Sequence, residues 1–114
     1  MNLENILITG SSGLVGAPLV TKLLNKSNII VGLDPVINAE CNENYKHILI
    51  PLNSVEDVTN LLEKYDITKI IHTGGISGPM LANENPNLII ENNIFFTMYL
   101  IEASRIYKKI NRFI

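Results

Sequence analysis

The run Thr9-Gly10-Ser11-Ser12-Gly13-Leu14-Val15-Gly16 constrains this chain more than any other feature. Three glycines recur at intervals of three, after the strand-like run Asn5-Ile6-Leu7-Ile8-Thr9. A helix-like pattern follows, with apolar positions at Leu14, Val15, Leu19, Val20, Leu23 and Leu24. Gly10 permits a sharp turn from strand to helix, Gly13 lets backbone come close to a bulky anion, and Gly16 lets the helix lie tightly on the sheet. Unpaired N–H groups and the positive end of the helix dipole attract negative charge there. Ser11 and Ser12 add hydroxyl donors. The plainer alternative is an ordinary tight turn, but the flanking strand and helix favour a pyrophosphate cradle.

The rest of the chain repeats the alternation. Asn28-Ile29-Ile30-Val31-Gly32-Leu33 reads as a second strand, stopped by Asp34-Pro35, and residues 36–45 read as a polar loop. Lys46 to Ile50 predicts a third strand, broken by Pro51. Ser54 to Tyr65 predicts a helix with a serine N-cap and acidic residues in its first turn. Lys69-Ile70-Ile71-His72-Thr73 predicts a fourth strand closed by Gly74-Gly75, and a long helical pattern runs from about Asn87 to Lys109. Pro18 is expected in the second turn of the first helix, with one hydrogen bond lost. Phe113-Ile114 reads as the opening of a fifth strand, hence a truncated chain; the alternative is a frayed helix end. Apolar strands alternating with helices predict an α/β fold, a Rossmann-type doubly wound parallel sheet of strand order 3-2-1-4 with the start of strand 5. With 114 residues, the chain is one domain, 1–114.

Asp34 gives the loop its ligand. It ends the second strand 24 residues after Gly10, where a carboxylate accepts hydrogen bonds from adenosine ribose hydroxyls and repels a 2′-phosphate. No Arg or Lys lies between Asp34 and Tyr45 to welcome such a phosphate. The expected cofactor is therefore NAD rather than NADP. Asp34 is also simply a good turn former before Pro35, and that alternative stays open.

The spacing Thr-Gly-x-x-Gly-x-x-Gly resembles the short-chain dehydrogenase/reductase superfamily, and more narrowly its extended branch, the NAD-dependent epimerase/dehydratase family. Ile70-Ile71-His72-Thr73-Gly74-Gly75 is similar to that family's fourth-strand motif. Glu91-Asn92-Asn93-Ile94-Phe95-Phe96-Thr97-Met98-Tyr99-Leu100-Ile101-Glu102-Ala103-Ser104-Arg105 is similar to its helix Asn-x-x-Gly-Thr-x-x-Leu-Leu-Glu-Ala-x-Arg. The resemblance implies that Gly10, Ser11, Ser12, Gly13, Leu14 and Val15 line the pyrophosphate, with Asp34 on the ribose. It implies that Thr73, Gly74 and Gly75 line the cofactor, that Asn93 stands beside the active site, and that Ser77 faces the nicotinamide or substrate edge. Two departures stand out. Pro51-Leu52-Asn53 replaces an acidic residue near the adenine, and Phe96 replaces the helix glycine.

The resemblance also implies hydride transfer on a nucleotide sugar or related carbonyl or alcohol, assisted by a tyrosine and a lysine four residues later. The one match here, Tyr65 to Lys69, comes too early in the chain for that role, so no catalytic residue is expected. A non-catalytic dinucleotide-binding module or redox sensor of the same fold is the alternative. His72 and His47 read as strand residues with satisfied rings, and no metal spacing occurs. Cys41, the single cysteine, stands in a polar stretch as a bystander. The net charge of −2 with no basic run argues against nucleic acid, and no apolar run of membrane-spanning length or signal-peptide pattern occurs. A cytoplasmic protein is expected. The long helix is apolar on more than one face, which predicts a homodimer through 87–109 or cover by further chain.

Overall fold

The computed structural model describes residues 3–49, 51–75 and 85–114. Five parallel strands form one sheet, β1 (Asn5–Thr9), β2 (Ile29–Leu33), β3 (Tyr45–Ile48), β4 (Lys69–His72) and β5 (Arg112–Phe113), in the order β3-β2-β1-β4-β5. The fifth strand is genuine and overturns the frayed-helix alternative: Ile114 N–H donates to Ile70 O at 2.9 Å, and His72 N–H to Ile114 O at 2.7 Å.

Both faces of the sheet are covered, because neighbouring residues on a strand point to opposite sides. Leu7, Val31 and Ile70 face one core with Val58, Leu61 and Leu62 of α2 (Val55–Lys64) and Leu100, Ala103 and Tyr107 of α4 (Phe96–Tyr107). Ile6, Ile8 and Ile30 face the other, with Val20 of α1 (Gly16–Leu23), Leu24 and Tyr45. Burying a large aliphatic side chain contributes roughly 1.5–3 kcal/mol, so these two layers stabilise the frame that holds the loops.

Several boundaries differ from expectation. α1 begins at Gly16, which puts Pro18 in its first turn, where a missing N–H is best tolerated. β3 begins one residue early at Tyr45, since the buried phenol ring enters the core rather than ending the polar loop. At α2 the Ser54 hydroxyl accepts from Asp57 N–H at 3.0 Å, with Glu56 and Asp57 in the first turn as expected. The long helix is not uniform. α3 (Asn87–Ile90) leads into a π-helical turn, Glu91–Phe95, before α4, whose last carbonyls are closed by left-handed Lys108. Wide turns of this kind interrupt α-helices at functional positions more often than elsewhere.

Candidate cofactor site at the carboxyl ends of the strands

The strand register creates the site. Thr9 pairs with Leu33 on one side and His72 on the other. Gly10, Asp34 and Thr73 therefore leave the sheet at one level, at the carboxyl end of its central strand. This is the crevice where open α/β sheets bind ligands.

The glycine loop is built for close approach. Gly10 adopts φ +67°, and a Cβ there would lie 2.8 Å from Gly74 Cα. A Cβ on Gly16 would lie 2.0 Å from the Gly10 carbonyl oxygen. Gly16 thus seats the helix on the loop itself rather than on the strands. The turn is closed by Gly13 N–H to Gly10 O and Ala17 N–H to Gly13 O, both 3.0 Å. Leu14 and Val15 are exposed, and no described residue hydrogen-bonds their amides. Those two N–H groups at the start of α1 can receive an anion.

The serine hydroxyls have other partners than the anion donors expected of them. Ser11 is fully buried, its hydroxyl 3.0 Å from that of Tyr45. The Ser12 hydroxyl donates to Val36 O at 2.6 Å, and its amide to Asp34 Oδ2 at 3.1 Å. Val36 N–H donates to Asp34 Oδ1 at 2.9 Å. Both carboxylate oxygens are thereby fixed, each with acceptor capacity left for a further hydroxyl. The Asn38 amide donates to Ser11 O at 2.6 Å and ties the following loop to the glycine turn.

Three residues missed by sequence reasoning form the floor. His47 Nδ1 lies 2.7 Å from the Tyr45 hydroxyl and its Nε2 lies 3.0 Å from Asp34 O. Burial holds the Tyr45 phenol above its usual range and keeps it a neutral donor, the Ser11 hydrogen bond opposing and the Asp34 and Glu40 charges reinforcing the shift. Gly32 makes the room, since a Cβ there would lie 2.0 Å from the Tyr45 oxygen. An isolated glycine inside a strand signals such an approach.

The opposite wall is β4. Thr73 donates through its hydroxyl to Thr9 O at 2.7 Å, and Gly74 N–H donates to Thr9 Oγ1 at 3.0 Å. A Cβ on Gly75 would come within 2.9 Å of Asn93 Oδ1, so the glycine lets the π-helical turn approach the end of β4. Ser77 lies outside the described residues. Tyr65 and Lys69 are at the other end of the sheet: Tyr65 O accepts from Asn5 at the start of β1, and Lys69 pairs with Glu4 at 3.8 Å. A wide groove lined in part by Glu4, Asn5, Asp66 and Thr68 lies at that far end too, away from the helix N-termini. Among the described residues no group of three or more His, Cys, Asp and Glu could hold a metal, and no helix is long and apolar enough to cross a membrane.

A parallel sheet with a glycine-hinged turn into a helix, and an acidic residue ending the next strand, defines a Rossmann-type fold. A model of the NAD dependent epimerase/dehydratase family matches residues 6–114, and the chain belongs to that family. The chain is similar to the UDP-glucose 4-epimerase of Pisum sativum, 28% identical over 114 residues, covering 88% of this chain and 33% of the relative. Among solved structures it resembles a mutated uronate dehydrogenase, with TM-score 0.79, 28% identity, and coverage of 97% of this chain and 38% of that one. The Thermus thermophilus UDP-glucose 4-epimerase, solved in complex with NAD, shares the fold at TM-score 0.76 and 23% identity, over 92% of this chain and 35% of that one. The chain spans about a third of the length of the curated relatives it matches.

Proposed function

We propose that residues 1–114 form the NAD-binding domain of an epimerase/dehydratase-type oxidoreductase acting by hydride transfer on a nucleotide sugar or a related carbonyl or alcohol. The observation that carries this reading is one level of the sheet holding Gly10 at positive φ, the open amides of Leu14 and Val15, and the Asp34 carboxylate. NAD, when bound, supplies the hydride acceptor or donor. The chain's own residues bind and orient it. Gly10, Gly13, Leu14 and Val15 cradle the pyrophosphate, with Ser11, Ser12 and Gly16 shaping the turn. Asp34 accepts from the ribose hydroxyls and repels a 2′-phosphate, which selects NAD over NADP. Thr73, Gly74 and Gly75 form the wall, with Asn93 toward the substrate.

We also propose a cytoplasmic setting and a homodimer through the segment 87–109. There Ile94, Phe95, Met98 and Ile101 are 43–58% exposed, an apolar stripe of the kind that marks an association surface. Sedimentation of the complete protein as a strict monomer would sink the dimer. Because Tyr65 and Lys69 sit at the opposite end of the sheet, this chain binds the dinucleotide without turning substrate over.

Asp34→Ala tests the cofactor reading. Losing a charged acceptor weakens binding by about tenfold or more. Calorimetric titration is expected to show that loss for NAD and a smaller one for NADP. Equal losses for the two would remove Asp34 from the ribose site.

A further inference from the structure

A row of hydrogen bonds crosses from the dinucleotide wall to the π-helical turn through His72. Gly74 N–H donates to Thr9 Oγ1 at 3.0 Å; Thr9 Oγ1 lies 2.5 Å from His72 Nδ1; His72 Nε2 lies 2.8 Å from Thr97 Oγ1; and Thr97 donates to Asn93 O at 3.0 Å. Proton counting sets every direction. The Thr97 hydroxyl spends its one proton on Asn93 O, so toward His72 its oxygen only accepts, and Nε2 carries the ring proton. A neutral imidazole then presents a lone pair at Nδ1, which takes the Thr9 proton, and Thr9 in turn accepts from Gly74.

We propose that His72 is a positioning residue that couples the Gly74 wall of the dinucleotide cleft to the helical turn bearing Asn93, through its neutral Nε2–H form. The coupling stands on the hydrogen bonds; its consequence for the dinucleotide rests on the NAD reading above. Protonation would break the sequence at one point. A cationic ring donates from both nitrogens, and the Thr9 proton, 1% exposed at its residue, loses its acceptor. The surroundings favour the neutral ring, since burial lowers the His72 pKa below the usual histidine value. The described groups packed on the ring are Thr9 of β1, Phe113 of β5, and Phe96 and Thr97 of α4, none of them charged. The charged residues of those elements are Arg112, which is exposed, and Glu102 and Arg105, which pair with each other at the surface.

Backbone-amide hydrogen exchange read by NMR tests the coupling in the 114-residue chain. Thr97→Val removes the acceptor of Nε2–H, and Thr97→Ser keeps it. Gly74 N–H is expected to exchange faster in Thr97→Val, by less than the roughly tenfold that loss of its own hydrogen bond would give, and at the wild-type rate in Thr97→Ser, with the Leu7 and Ile8 amides protected in both. An unchanged Gly74 rate in a folded Thr97→Val chain overturns the proposal. Should that variant fail to fold, the wild-type chain decides. Its His72 ring must be the Nε2–H tautomer at neutral pH, and Gly74 exchange, corrected for its intrinsic pH dependence, must accelerate as His72 protonates. An Nδ1–H tautomer or an indifferent Gly74 overturns the coupling. Saturating NAD is expected to lower the His72 titration midpoint further, and an unmoved midpoint with NAD bound removes the link to the dinucleotide. Failure of the wild-type chain to bind NAD at neutral pH would instead count against the proposed function, with Gly74 exchange still deciding the coupling.

Discussion

Two histidines flank the carboxyl end of β1, and they brace it differently. On the β2–β3 side, His47 joins the Tyr45 hydroxyl to the backbone carbonyl of Asp34, so a half-buried ring fixes the stem of an acidic residue whose carboxylate stays at the rim. On the β4 side, His72 bonds two threonine hydroxyls, and its network ends on backbone inside a helical turn. The first presents a charge to the cleft; the second presents none. All three ion pairs among the described residues lie elsewhere: Glu4–Lys69, Glu102–Arg105 and Asp66–Lys109. The cleft is thus held by hydrogen bonds rather than ion pairs, and no described cation neutralises Asp34. An unpaired carboxylate fixed in place is suited to read hydroxyls and to reject phosphate.

Gly16→Ala should break both sides together. Its Cβ would meet backbone at 2.0 Å, with no flexible side chain to yield. Urea unfolding is expected to show a loss of about 2–3 kcal/mol, in the range for forced overpacking. A loss under about 0.5 kcal/mol, typical of unconstrained surface positions, would mean that the turn accommodates a side chain. Tyr45→Phe separates the two sides. It removes the hydroxyl from Ser11 and His47 and should cost about 1 kcal/mol, with amide protection falling at Asp34 and Val36 but not at Gly74. Equal loosening of both walls would show that the two networks are one.

The smallest effect is in pH. The unfolded His72 ring takes up a proton near its ordinary value of ~6.5, whereas the folded ring resists until lower pH. The native chain then binds fewer protons through that window, so stability is full above it and falls as pH drops through the lowered value. The urea midpoint should decline as pH falls through the ordinary histidine value of ~6.5, with a shallower decline in His72→Gln. Identical slopes would assign the effect to other groups.

Much of this was legible in the sequence because it rests on local rules. Glycine spacing, strand hydrophobicity and the position of Asp34 reveal the loop and the sheet order. Sequence alone suggests the Ser11 and Ser12 hydroxyls as anion donors because it does not show a competing partner; Tyr45 and Val36 arrive from 34 and 24 residues away. Gly32 carried a readable signal, a lone glycine inside an apolar strand, yet its partner Tyr45 stood at the edge of an apparent loop. The π-helical turn had no signal, since helical periodicity averages over one widened turn. His72 was readable as a satisfied strand histidine, but its two threonine partners lie 63 and 25 residues away.

The most direct measurement is an amide NMR titration of the 114-residue chain with NAD. Saturable shifts are expected at Gly10, Gly13, Leu14, Val15, Asp34 and Gly74, with Glu4, Asn5 and Thr68 at the far end of the sheet unmoved. Shifts confined to that far end, or no saturable shift at the loop, would contradict the proposed NAD site.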